Sequence, residues 1–531
     1  MNLTACSIPC CLPTIRKSRG WRGRCGVNTF LLLACSVLSL VPEITCALDS
    51  TWLANPVDNA WNNPANWSNG VPVGGANFAQ STITDIIIPQ DISIIGILFE
   101  PEADSFTLTA APGVEVTIAQ NGTLNNGSGL DQTFISSGTG QNGGGFSFGE
   151  GSIIFRPVTF IQGPGDTPMG GVGYLSFEGS FVVTGPGAST VHNLGGTVPG
   201  GAGGQVNFTH RGASAEAATI INDGSTVAGA GGGETFFDFD KPTASNATLI
   251  ANSGTNGGGG GGIHFNDDSL GGTAHLQVFG NGFMDMSLHK GPSLSIGSIE
   301  GDGQIYLGRK TLIVGTDSLS TTFSGVLHPG GPDGGSGSGS LMKIGTGTLT
   351  LTGANLYTNG TTVTEGTLRV SNTTGSGSGT GALSVNAGTI GGSGIIAGAV
   401  TVGTGNGTGA FLTPGTGTNK QVTLTIQSAL TFNSDATYSY TFKGNRKRVS
   451  PDLVRANGVT INGGTIAISS NSQNRISRGI VLTVLSNTSA SPISGTFSNL
   501  PDGAVVNVNG NNLQASYSGG DGNDLTLTVV P

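Results

Sequence analysis

Residues 343–370 read KIGTGTLTLTGANLYTNGTTVTEGTLRV. Within them Leu349 and Leu351 alternate with Thr348, Thr350 and Thr352, the period of two that marks a strand with one buried face. Glycine and asparagine then break the alternation, and a second short strand starts at Gly366-Thr367-Leu368-Arg369-Val370. Short strands joined by single turns, with no helical period between them, predict a chain that stacks upon itself.

Two recurrences extend that reading. Leu351, Leu368, Val385 and Val402 follow one another at a constant interval, and Leu349, Leu383 and Val400 stand two positions earlier in three of the four. Coils of constant length would put them in one column. Upstream, Phe208, Phe239 and Phe265 each precede a small-residue stretch and a glycine-rich turn. Their uneven steps fit strands that stay in column while turns differ in length. In a parallel β-helix each coil bonds to its neighbours at about 4.8 Å per step. Glycine serves the corners, and threonine suits the outer pleated face. The expected fold is therefore all-β: a right-handed parallel β-helix, a single-stranded solenoid, with a Trp-rich N-terminal cap region. A globular sandwich is the competing architecture, in which Gly257–Gly262 and Gly330–Gly339 would read as flexible linkers.

Composition agrees. Of 531 residues 93 are glycine, 10% are charged and 36% are hydrophobic, too apolar for plain disorder and too glycine-rich for helices. Residues 1–47 read as a secretory signal: Arg16, Lys17, Arg19, Arg22 and Arg24 precede an apolar stretch from Phe30 to Val41, and Thr45-Cys46-Ala47 offers a cleavage site. All six cysteines lie in that leader, so the mature chain has no disulfides. Cleavage lowers the formal charge from −10 to −14, which argues against nucleic acid and anionic lipid as partners. Beyond the leader no apolar run reaches the length of about 18 residues that a membrane helix needs, and nothing resembles the aromatic girdles of a membrane barrel.

The spacing Lys-x-Gly-x-Gly-x-Leu-x-Leu-x-Gly-x-Asn-x-Tyr-Thr-x-Gly-Thr-x-Val-x-x-Gly-x-Leu-x-Val over 343–370 closely resembles the autotransporter-associated β-strand repeat, also called the passenger-associated transport repeat. The segments ALSVNAGTIGGSGIIAGAVTVG, FLTPGTG, PDLVRANGVTINGGTIAIS, SGTFSNLPDGAVV and YSGGDGNDLTLTVV are similar to the usual continuation in such proteins, and WLANPVDNAWNNPANWSNGVP to their N-terminal start. The resemblance implies a parallel β-helix exported to the cell surface or beyond, with adhesive or structural roles. The chain shows no C-terminal translocator barrel, so self-translocation across an outer membrane is not expected: the passenger stays periplasmic, leaves by another route or depends on another protein.

Candidate sites are sparse. Asp521, Asn523 and Asp524 in GGDGNDLTL look like one copy of a calcium-binding nonapeptide, but calcium wants six to eight oxygens; the plainer reading is a glycine turn launching the strand Leu525 to Val529. Trp52, Trp61 and Trp67 could stack on sugar rings or plug the end of the solenoid, the reading favoured here. GFSFG around Ser147 matches a nucleophile elbow in letters, yet a strand follows where a helix is required. His192, His210, His264, His275, His289 and His328 lack metal-ligand spacing. Asp238, Asp240, Asp267 and Asp268 are acidic pairs on successive repeats that a polysaccharide lyase or hydrolase would turn into one groove beside a basic group; they read as solvated turns. Lys443-Gly444-Asn445-Arg446-Lys447-Arg448 is the one strong basic cluster after cleavage, read as an exposed loop.

The chain is thus expected to divide into a signal peptide (1–47), an N-terminal cap segment (48–95), an irregular glycine-rich solenoid (96–340), the repeat region (341–440) and C-terminal coils with a terminal strand (441–531). The expected function is a secreted or cell-surface, adhesin-like structural protein with an extended multivalent surface. Catalytic, cofactor-binding and metal residues are expected to be none, with extracellular glycans or surface proteins as partners. The alternatives are a carbohydrate-active enzyme on the same scaffold and a calcium-dependent binding module.

Overall fold

Strands of three to five residues with alternating buried and half-buried side chains recur along the chain, for example Thr159–Gln162, Thr219–Asn222 and Thr348–Leu351. The computed structural model describes residues 48–531 apart from 140–141, 156–157, 179–181, 185–187, 333, 335–336, 416–420, 446–447 and 471–474. The predicted signal segment with its cysteines, and Arg446 and Lys447, lie outside the described residues.

The strands form long parallel sheets, so the fold is a parallel β-solenoid. A first sheet runs from Ser50–Thr51 to Val326–His328. A second runs from Asp85–Ile88 to Thr465–Ser470, each strand pairing with the equivalent strand of the next coil. The third wall begins as single bridges, Ser214 to Thr243 to Leu270, and becomes a sheet from Ser293–Ile296 to Val459–Ile461. Where the first sheet stops, Asn355 Oδ1 accepts from Leu327 N at 2.9 Å and Gly377 N donates to Ile395 O. Strand pairing then resumes at Ile395–Ile396.

The core is a column of side chains from all walls. Phe148, Phe177, Phe208, Phe237 and Phe265 stack at centroid separations of 5.2, 5.0, 4.9 and 4.9 Å, with interplanar angles narrowing from 26° to 6°. The column member is Phe237, not Phe239. Strand pairing carries Phe208 to Phe237 to Phe265, whereas Phe239 follows the end of its strand and is 57% exposed. The column expected from equal spacing is also corrected. Leu351 pairs with Val370 and Leu349 with Leu368 on the second sheet, while Val385 pairs with Val402 on the third. Each coil carries strands of different walls joined by corners of different length, so equal intervals land on different walls.

Polar side chains also stack inside. Ser136, Gln162, Asn193 and Asn222 occupy one register position in successive coils and are all buried. Asn193 Nδ2 donates to Asn222 Oδ1 at 2.7 Å and to Glu234 O at 3.0 Å, and Thr235 Oγ1 donates to Asn222 Oδ1 at 2.8 Å. These bonds tie the second sheet to the first, and burial raises the cost of losing any one.

The stretch Gly257–Gly262 is wall, not linker. Gly200 N bonds Gly229 O, Gly229 N bonds Gly257 O and Gly259 N bonds Ala230 O, so the turns stack as the strands do. A Cβ on Gly260 would collide with the Asn281 carbonyl. In the other run, Gly337 and Gly339 are similarly enclosed, by Pro329 and Leu307.

Both ends are closed. Trp52, Trp61 and Trp67 are buried and pack edge-on around one another at 5.1 and 4.8 Å. Phe78 continues them into the aromatic core. No indole face is left for a sugar ring. At the other end the terminal strand is antiparallel rather than one more rung: Asp524–Val530 lies between Val481–Asn487 and Asn511–Gly519. The amide of Asn499 imitates a strand there, taking Ile466 N on Oδ1 at 3.0 Å and giving Nδ2 to Ile466 O at 2.8 Å. The last rung otherwise presents unpaired backbone groups, which explains the change of direction.

Candidate functional site

The first sheet gathers chemistry on its outer face across the strands Tyr174–Glu178, Gln205–Thr209, Glu234–Asp238 and Gly262–Phe265. Alternation sends Leu175 and Phe177 inward and leaves Tyr174, Ser176 and Glu178, then Gln205 and Asn207, then Glu234 and Phe236, facing out. Two rings lie over glycines of the neighbouring coil. A Cβ on Gly145 would meet the Tyr174 ring, and one on Gly262 the Phe283 ring. Glycine thus makes room for a flat aromatic platform. Burial, with the charges of Glu115 and Asp91, holds the Tyr174 phenol above its usual range, so it stays neutral. Phe236 and His264 stack at 4.5 Å, His264 meets Phe283 at 5.4 Å, and Tyr306 and His328 stack at 4.8 Å.

At the C-terminal ends of three of these strands and of Gly145–Phe148 before them, Glu150, Glu178, His210, Arg211 and Asp240 line an open cleft of about 340 Å³. The backbone here is strained: His210, Phe239 and Asp267 carry φ of 67°, 69° and 48°, a region non-glycine residues seldom adopt and which concentrates at functional positions. The His210 and Phe239 rings stack at 5.7 Å. Among the described residues Arg211 makes no salt bridge, although three carboxylates share its cleft.

The four aspartates do not face one groove. Asp240 joins that cleft, while Asp238 accepts from Asn266 Nδ2 at 2.6 Å and burial pushes its carboxyl up. Asp267 is paired with Lys290 at 2.9 Å. Asp268 borders a second hollow of about 470 Å³ with Lys241, Ser269 and His289.

Histidines find partners one coil away, at sequence distances that no local motif shows: His192 with Asp223, His275 with Ser298, His289 with the Ser269 carbonyl, His328 with Gln304. The His192–Asp223 contact is 2.5 Å. The hydrogen bond that His192 gives to Asp223 raises the His192 pKa against the effect of burial; burial opposes ionisation of Asp223, yet the bonds from His192 and Asn252 leave it below the usual carboxylate range. The histidine contribution is complete below about pH 6.5, its unfolded value, and is lost as pH rises through the higher folded value. A thermal scan from pH 6 to 9 will show melting temperature falling modestly, with a flatter slope in His192→Gln.

Ser147 sits mid-strand with parallel partners on both sides and donates to Glu115 Oε1 at 2.9 Å, so no elbow exists. Lys443 and Gly444 are not loop but the end of a strand that pairs with Val449–Pro451, and Arg448 N donates to Asn445 Oδ1 at 3.0 Å; Arg446 and Lys447, the middle of the expected loop, lie outside the described residues. Asp521 is exposed in the last hairpin, where Asp524 Oδ1 accepts from Asn487 N at 2.8 Å and Asn523 Nδ2 donates to Ser489 O at 2.5 Å. These bonds pin the cap. Asp524→Ala will lower cap stability by about 1–2 kcal/mol, and added calcium will leave the melting temperature of either form unchanged. Among the described residues no group of three or more His, Cys, Asp or Glu is arranged to hold a metal, and no helix is long and apolar enough to cross a membrane.

Residues 341–370 match the passenger-associated-transport-repeat family. The chain carries a passenger-associated transport repeat. No curated protein matches the chain. The repeat family implies an extracellular or surface location. Its signature residues are corner chemistry. Lys343 is buried, with Nζ donating to Ile344 O at 2.5 Å and Gly345 O at 2.8 Å; burial pushes its amine down. Asn355 Nδ2 donates to Gly377 O at 2.6 Å, and the Tyr357 hydroxyl bonds Thr361 Oγ1 at 2.6 Å. Each satisfies backbone or hydroxyl groups that a turning coil would leave unpaired.

Proposed function

We propose that this chain is the passenger-like, secreted or surface-held solenoid of a non-enzymatic adhesin, and that it binds a polysaccharide along the outer face of the first sheet. The observation that supports this is the row of flat rings, Tyr174 over Gly145 and Phe283 over Gly262, with Gln205, Asn207 and Glu234 between them in the same face. Flat rings stack on sugar faces while amides and carboxylates take hydroxyl groups. A site spread over several coils gains affinity by repetition. The cleft of Glu150, Glu178 and Asp240 beside Arg211 gives this face an acidic balance, which favours neutral or amino sugars over acidic ones.

The test is affinity electrophoresis of the mature protein in gels containing neutral, amino or acidic polysaccharides. Retardation by a neutral or amino polymer is expected, and Tyr174→Ala with Phe283→Ala will weaken it about tenfold, at about 0.5–1.5 kcal/mol per ring. No retardation by any of them would remove the proposal. The acidic cleft also favours a second reading, a glycosidase. New reducing ends released from a retained polymer, and abolished in Glu178→Gln, would establish it instead.

A further inference from the structure

A different face carries a different pattern. On the second sheet Thr107, Thr133, Thr159, Thr190, Thr219 and Thr248 pair in unbroken register from coil to coil. All six point outward and are half-buried. Two residues on, Ile135, Ile161, Ile221 and Ile250 form a parallel rank, with Thr109 at its head and His192 within it. Inside the same strands Leu108, Phe134, Phe160, Val191, Ile220 and Leu249 are buried, so the plane is held rigidly from beneath.

Three properties set this face apart. The threonine rank carries no charge between Asp85 at one end and His275 at the other, in a chain whose formal charge is −10. Among the described residues five of its hydroxyls make no hydrogen bond within the chain, while Thr159 Oγ1 donates to Asp131 at 3.1 Å. By contrast, farther along the sheet Thr437 and Thr465 bond each other at 3.0 Å. The hydroxyls therefore repeat at about 4.8 Å along the stack, all free but that of Thr159, with a methyl-bearing rank about 6.6 Å away along the strands.

We propose that this plane binds ice. A flat grid of hydroxyls alternating with methyl groups orders water on both counts: hydroxyls anchor it by hydrogen bonds, and apolar groups restrict its orientation. The grid spacings are of the order of the oxygen repeats on an ice face, and the threonine rank carries no charge to disturb that lattice; in the second rank His192, paired with Asp223, is the one titratable group between Thr109 and Ile250. A polymer chain needs grooves or ring platforms, and neither rank carries a phenylalanine, tyrosine or tryptophan ring; a crystal face needs a constant period, which the in-register pairing supplies.

The test uses the mature full chain. The protein is frozen slowly from dilute solution, and its fraction in the growing ice is measured against a non-binding control protein. Recrystallisation of fine-grained ice is followed in parallel. Incorporation of the native chain and arrested grain growth are expected, with loss of both in Thr190→Tyr. Thr401→Tyr, on the outer face of the third sheet, is expected to behave as the native chain, and unchanged melting curves will show that both variants fold. Exclusion of the native chain from ice overturns the proposal. So does equal incorporation of Thr190→Tyr and the native chain. A dimer in sedimentation that Thr190→Tyr disrupts would overturn it by giving the face to a second copy. Retention on crystalline polysaccharide without ice incorporation would give it to a polymer and overturn it as well.

Discussion

Truncating Phe208 to alanine will lower the unfolding free energy of its coils by about 3–5 kcal/mol. The ring is buried between Phe177 and Phe237 at 5.0 and 4.9 Å, and strands fixed above and below cannot close over the space it leaves. Part of the loss is stacking, at about 0.5–1.5 kcal/mol per aromatic pair. Because each coil touches chiefly its neighbours, the damage will be local: hydrogen exchange will accelerate in coils 174–265, while the C-terminal cap keeps its protection. Phe239→Ala serves as the comparison. That residue is 57% exposed and its loss will cost less than about 1 kcal/mol.

The second large effect is expected where intuition sees freedom. Gly260→Ala adds one methyl group to a run of glycines, and in a linker that change would be neutral or mildly stabilising. Here the new Cβ would strike the Asn281 carbonyl, a backbone atom held in the next coil, so unfolding free energy will fall by about 1–3 kcal/mol or more. Gly229→Ala tests conformation alone, because space is open around it but its φ is 75°. A smaller loss, near about 1 kcal/mol, is expected. Chemical denaturation of the three proteins separates the two causes.

How much of this could be read from the letters follows from where the information lies. The alternation in Thr348–Leu351 is local, so the strand and its buried face were legible. Column membership is not local. Phe237 and Phe239 are equally aromatic, and what separates them is that the strand ends at Asp238, a boundary set by the turn stacked against its neighbours. The constant interval from Leu351 to Val402 misled because it ignored that a coil has several walls; only Val385 to Val402 among those steps is a true pairing. The site was least legible. Glu150, Glu178 and Arg211 lie far apart in the sequence, and their meeting with Asp240 depends on successive coils being in register. A signal existed in hindsight: acidic residues recur at or just past the ends of strands whose inward phenylalanines recur. The six threonines begin TLTA, TFIS, TFIQ, TVHN, TIIN and TLIA, a repeat hidden because the glycine-rich segments between them vary in length.

The solenoid depends on in-register parallel stacking, and distance measurement between nitroxide labels reaches that directly. The predicted mature chain has no native cysteine, so paired cysteines can be placed at will. Thr107 and Thr248 are five coils apart on the second sheet, and Thr107 and Ser298 seven. Pulsed dipolar spectroscopy should therefore give about 24 Å for the first pair and about 34 Å for the second, in proportion to the number of coils at about 4.8 Å each. Equal distances for the two pairs, or a broad distribution without a maximum near either value, would contradict it.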